Sequence, residues 1–225
     1  MAATEQDPTG GPGLAELDRM KAFSDGVFAI VITLLVLELR VPSYEPGGLL
    51  PALLHEGSAY LAFVVSFVYV GVLWLNHHAL LRLLRGTTPA LNWINLAILF
   101  GVVIIPFPTA VLAAAFTEHG DRYDRQVAVG LYALSAALMS LPWLVVFGYL
   151  RRRPEVRAVG IDHAYVRAQT RRPVTGLILY GLAGLLGWLV DPVVGLIAIM
   201  VMIAYHAVTS EGIRRRRRPP ARGPS

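Results

Sequence analysis

Residues 19–39 read RMKAFSDGVFAIVITLLVLEL. From Val27 onward the stretch is apolar enough to enter a bilayer. Yet it opens on Ser24, Asp25 and Gly26, and then holds a single hydroxyl, Thr33, before Glu38. At about 100° per helical residue, Ile30, Leu34 and Leu37 fall on one narrow stripe with Thr33 at its edge, and Asp25 lies about 140° from Ile30. The pattern predicts a dry face and a separate polar anchor near one end of the helix. An ionisable group inside a span is costly, so Asp25 calls for a partner.

Working outward, the composition is that of a membrane protein. Of 225 residues, 55% are hydrophobic and only 16% are charged, against about a quarter in soluble domains. A spanning helix needs about 20 mainly apolar residues. Six stretches qualify, at 20–41, 58–81, 91–115, 127–150, 174–190 and 192–210, the last two joined at Asp191-Pro192 as a helical hairpin. The expected fold is all-α and polytopic. Residues 1–18, acidic and Gly/Pro-containing, read as a disordered leader; 19–210 form the membrane domain and 211–225 a basic tail.

Seventeen of the twenty basic residues lie on one side of these spans; Arg40, Arg122 and Arg125 lie on the other. Cytoplasmic loops carry the excess of Lys and Arg, so both termini are expected in the cytoplasm and the arginines at anionic headgroups. The run at 214–218 is read as a topology anchor and not as a nucleic-acid site. The opposite side carries seven carboxylates, Glu38 among them, which would make an acidic outer mouth; loss of arginine from outer loops produces the same asymmetry. There are no cysteines, which excludes disulfides and thiolate chemistry.

Partners for Ser24 and Asp25 are expected at the same depth in the next two spans: His77 and His78 in WLNHH, and Asn92, Trp93 and Asn95 in LNWIN. Hydrogen bonds from such donors would fix the first helix within its own subunit. Adjacent histidines diverge by about 100°, and no carboxylate stands at i+3 or i+4, so no metal site is expected. His206 reads as a packing residue. Gly181, Gly184 and Gly187 would let a neighbouring helix approach closely. No Ser-His-Asp set, phosphate-cradling loop or paired carboxylates appear, and no enzyme is expected. Nor is there a TVGYG loop or an arginine-repeat voltage sensor.

Arg19, Phe23, Ser24 and Asp25 together match the RxxxFSD signature of the endolysosomal potassium channel family. The chain resembles its prokaryotic branch, whose subunits have six spans. WLNHH and NWINLAILFGVVIIPFPTAVL are similar to the family's second and third spans. The resemblance is close over the first half of the chain and rests on span count beyond it. It implies a homotetramer in which the first helix lines a central pore. By that likeness Ile30 forms the narrowest ring, Leu34 and Leu37 further apolar layers, and Thr33 a hydroxyl layer. It also implies modest selectivity for potassium over sodium without a carbonyl filter, and no cofactor besides the permeant ion. The rival reading is a proton-coupled transporter or proton channel in which Asp25 and His77 relay protons. Transporters place such groups at mid-membrane and often carry two repeats, whereas FSD occurs once here.

Overall fold

The computed structural model of the chain describes residues 12–117 and 120–209. These residues are almost wholly helical: α1 Pro12–Val36, α2 Leu49–His55, α3 Gly57–Leu81, α4 Pro89–Ile104, α5 Pro106–Ala115, α6 Arg122–Arg152, α7 His163–Leu189 and α8 Pro192–Thr209. The all-α expectation holds. Five segments are long and apolar enough to cross a membrane, namely α3, α4 with α5, α6, α7 and α8. The sixth, α1, has the length but carries Arg19, Lys21 and Asp25, and its uninterrupted apolar part is short.

Four boundaries differ from the expected ones by five residues or more, among them the start of α6 at Arg122 where 127 was expected. Helix α1 covers 12–36 where the hydropathy predicted 20–41. Residues 12–18, expected in a disordered leader, form its first turns, and Leu17 is buried. At the other end the helix tightens: Leu37, Glu38 and Leu39 donate to the carbonyls of Leu34, Leu35 and Val36 at 3.0, 3.3 and 3.1 Å. Such i to i−3 bonds are how helices commonly end. The fifth span begins at His163, well before 174, because Asp162 accepts from the Tyr165 N–H at 2.6 Å and caps the helix. Most of the arginine-rich segment between spans is therefore helix. The run at 214–218 and most of the leader lie outside the described residues.

Helices α4 and α5 are one crossing broken at a proline. Pro106 has no N–H for the Val102 carbonyl, and the Ile105 N–H takes that carbonyl at 3.1 Å. One turn on, the Thr109 hydroxyl donates to the Ile105 carbonyl at 2.7 Å. Thr109 also meets Ser66 at 2.7 Å, and Ser66 meets the Tyr132 hydroxyl at 3.0 Å. That buried cluster ties α3, α5 and α6 through groups that would otherwise be unpaired in a dry interior.

At the basic end, Arg157 is tucked in. Its Nε donates to the Leu150 carbonyl at 2.7 Å and its Nη2 to the Arg151 carbonyl at 3.2 Å, capping the C-terminus of α6. The Ala158 N–H and the Leu83 carbonyl, at 2.8 Å, hold this loop against the end of α3. At the opposite end α7 and α8 cross on glycine. A Cβ at Gly195 would stand 2.5 Å from the Gly187 Cα, so the two backbones touch. Gly184 and Gly187 face Ala133 and Val129 of α6, while nothing lies within 4 Å of a Cβ at Gly181. The close approach expected of this triplet falls within the subunit at two of its three positions.

Candidate functional site

Two faces of α1 carry different chemistry. Leu17, Met20, Ser24, Phe28, Val31 and Leu35 are buried against the rest of the chain, at the helical spacing of three and four. Between them, Phe23, Ile30, Thr33 and Leu34 face outward. Ile30 is 59% exposed and Leu34 40%, large values for branched side chains in the middle of a helix. Leu37, also exposed, sits on the closing turn after Val36, so the 100° count that placed it on the stripe no longer applies there. Glu38 follows on the same turn, half-buried.

The Thr33 hydroxyl donates to the Ile30 carbonyl of its own helix at 2.8 Å. Its proton is thereby spent on the backbone, and its lone pairs stay available to whatever lies outside.

The inward face is fastened by an ordered line of hydrogen bonds. His77 is 1% exposed, with Phe28 on one side at 5.4 Å between ring centroids and Trp143 edge-on at 6.5 Å on another. His77 Nε2 lies 2.7 Å from Asn95 Oδ1. A carbonyl oxygen can only accept, so His77 donates from Nε2. Asn95 Nδ2 then donates to Ser24 Oγ at 3.1 Å, and Ser24 donates to the Met20 carbonyl at 2.8 Å. Ser24 Oγ also stands 3.5 Å from Asn95 Oδ1, but the three shorter bonds run in one direction and lock α1, α3 and α4 together.

Asp25 takes a different partner. It accepts from Trp74 Nε1 at 2.8 Å, at a half-exposed position beside the buried line. Among the described residues no hydrogen bond joins Asp25 to His77. His78 packs its ring on Trp74 at 5.8 Å, so the two histidines turn to different neighbours. Of the residues expected around the anchor, Ser24, His77 and Asn95 come together. Asn92 and Trp93 do not: Trp93 is 74% exposed, and both lie on the outward face of α4. Arg19 is likewise exposed.

Trp74 went unidentified although it opens WLNHH. Asn95 could be told from its neighbours by phase. It falls in register with Leu91, Ile98 and Val102, which are buried, whereas Asn92 and Trp93 share a face with Leu96, Phe100 and Val103. Two of the outer carboxylates are also already engaged. Asp121 accepts from the Asp124 N–H and Asp191 from the Val193 N–H, both at 2.8 Å, so these two cap α6 and α8. Glu118 lies outside the described residues.

Against this geometry, residues 19–106 match the family described as "Endosomal/lysosomal potassium channel TMEM175". A potassium channel of Streptomyces collinus is 39% identical over 168 residues, which are 74% of this chain and 80% of that one. The crystal structure of a lysosomal potassium-selective channel TMEM175 homolog from Chamaesiphon minutus superposes with a TM-score of 0.77 at 34% identity. The superposition covers 88% of this chain and 99% of the other. A protein of Rattus norvegicus called endosomal/lysosomal proton channel TMEM175 is 31% identical over 183 residues, which are 76% of this chain and 35% of that longer one.

Proposed function

The chain belongs to the endosomal/lysosomal potassium channel family, and on that premise we propose that four copies surround a shared axis to make a cation channel favouring potassium, with α1 lining the path. It is a multi-pass membrane protein and not an enzyme. The placement that goes with this reading is the cell membrane, both termini cytoplasmic, with the arginines of the basic end at anionic headgroups.

The observation that carries the reading is the outward face of α1. Its inward face is pinned by a polar line of bonds, so the orientation of the helix is fixed, and what it turns outward is Ile30, Thr33 and Leu34. Four Ile30 side chains about an axis form an apolar girdle. A narrow apolar neck closes a pore by expelling water, and conduction requires it to widen. Ions that hold water loosely cross such a neck more readily, which favours potassium over sodium. One layer further along, Thr33 has its proton committed to the helix and its oxygen turned out, the right polarity for brief contact with a cation. Leu34 and Leu37 supply further apolar layers, and Glu38 stands at the outer mouth.

The name of the animal relative raises proton conduction as the second reading. Its relay would run between Asp25 and His77, and these share no hydrogen bond, Asp25 being bonded to Trp74. Single-channel recording in lipid bilayers separates the two. Discrete currents whose reversal potential follows the potassium gradient are expected; a reversal potential that follows pH would assign the path to protons. Ile30→Asn wets the girdle and is expected to raise conductance or leak severalfold. An Ile30→Asn channel with unaltered current would mean that another segment lines the path.

A further inference from the structure

Helices α3, α6, α7 and α8 leave a cavity of about 90 Å³ at the basic end of the bundle, and no residue of α1 lines it. By the same measure one water needs about 10–15 Å³, and a dry cavity of about 150 Å³ takes up benzene, so this space suits a molecule of a few heavy atoms. Leu73, Leu80, Met139 and Phe147 form much of its wall.

Three polar atoms on the lining residues have no partner in the chain. Trp143, 8% exposed, has no acceptor for its Nε1–H, the Oδ1 of Asn76 has no donor, and the hydroxyl of the buried Tyr180 has neither. The line from His77 to Met20, by contrast, gives each buried polar group along it a partner. A buried donor on Trp143, a buried acceptor on Asn76 and a hydroxyl on Tyr180 that can be either give one cavity a polar side with bonds left to make. The charge of the occupant follows from the walls. No carboxylate lines the cavity, and Arg172 does, its guanidinium donating to the Thr209 carbonyl, so a cation would be both unpaired and repelled.

We propose that this cavity is a binding site for a small uncharged amphiphile, an alcohol or primary amide. Its oxygen accepts from Trp143 Nε1, its O–H or N–H donates to Asn76 Oδ1, and its short carbon skeleton lies against the leucine, methionine and phenylalanine wall. Trp143 also sets its edge against His77, so the occupant lies one ring away from the anchor of α1. The site stands apart from the outward face of α1 and does not depend on what that face conducts.

The test uses the full chain and two probes of nearly equal shape, 2,2,2-tribromoethanol and 1,1,1-tribromoethane, which lacks the hydroxyl. Crystals soaked in the alcohol are expected to show anomalous bromine peaks inside the cavity. In lipid nanodiscs the alcohol should quench tryptophan fluorescence saturably, at a concentration at least tenfold below that of the hydrocarbon. Ala79→Phe, which fills the cavity from α3, should abolish the saturable part. Any of four results would overturn the proposal: ordered water alone in the cavity, bromine only at lipid-facing surfaces, equal affinity for the two probes, or binding at crystal concentration only, with quenching that rises linearly in solution. Should Ala79→Phe not fold, the comparison of the two probes on the unaltered chain still decides the matter.

Discussion

At the basic end of the bundle, α1 is held to α3 and α4 by side chains that reach across a gap; at the other end, α7 and α8 touch because no side chains keep them apart. Both solutions answer one difficulty. In a bilayer, helices gain little from hiding apolar surface from one another, because lipid is as apolar as leucine. What remains is a hydrogen bond between helices or closer van der Waals contact. The anchor uses the first, through His77, Asn95 and Ser24. The hairpin uses the second, through Gly187 and Gly195. The difference suits what each must do. A hydrogen-bonded junction fixes rotation and register, so it determines which residues α1 turns outward. A glycine crossing fixes distance and gives the helices behind the anchor a firm base.

The two junctions should fail differently, and the hairpin by more. Gly195→Leu puts a branched side chain where even a Cβ would stand 2.5 Å from backbone. Backbone cannot swing aside as a side chain can, so overpacking here is expected to cost more than about 4 kcal/mol and prevent assembly. Fluorescence-detected gel filtration should show loss of the folded peak. Gly181→Leu, where nothing lies within 4 Å, serves as the control and should leave the peak in place. If the two substitutions behave alike, the crossing is not made on Gly195.

Removing the centre of the anchor comes next. Asn95→Leu is nearly isosteric but leaves the His77 N–H without its acceptor and Ser24 without its donor. Each buried group left unpaired costs about 1–3 kcal/mol, at the lower end where lipid-facing rearrangement finds other partners. Spread over a chain of this size, that is a fall in thermal midpoint of roughly 5–10 °C. Unlike the glycine variant, this one is expected to fold, and to conduct abnormally because α1 can now rotate. A midpoint within a degree of the original would show that the line of bonds stabilises nothing.

How much of these junctions could be read beforehand depended on whether the cue was local. Five crossings were legible from hydropathy because length and apolarity are properties of one segment. The ends of α1 were not. Its start lies in polar residues that become helical by packing Leu17, and its finish depends on a change to i−3 bonding that hydropathy does not encode. The inward turn of Asn95 was available from its phase with Leu91 and Ile98, yet depth alone grouped it with Asn92 and Trp93. The pairing of Asp25 with Trp74 was harder still. It depends on the rotation of α3 relative to α1, a tertiary quantity that no spacing within either helix contains. The same holds for the cavity behind α3, which four separate helices shape.

That pairing gives the smallest expected effect and the sharpest view inside the anchor. Asp25 and Ser24 are neighbours in one motif, but only Ser24 is buried; Asp25 and Trp74 are partly exposed. A carboxylate that can reach water recovers most of what it loses when a donor is removed, whereas a buried amide cannot. Trp74→Phe keeps the ring against His78 and deletes only the N–H, so it should cost less than about 1 kcal/mol, or about 2–4 °C in thermal midpoint. The contrast with Asn95→Leu then becomes a measurement of where the anchor ends. If Trp74→Phe lowers the midpoint as far as Asn95→Leu does, Asp25 is sealed from water in the assembled protein. The polar anchor would then extend outward from Ser24 to the interface between subunits.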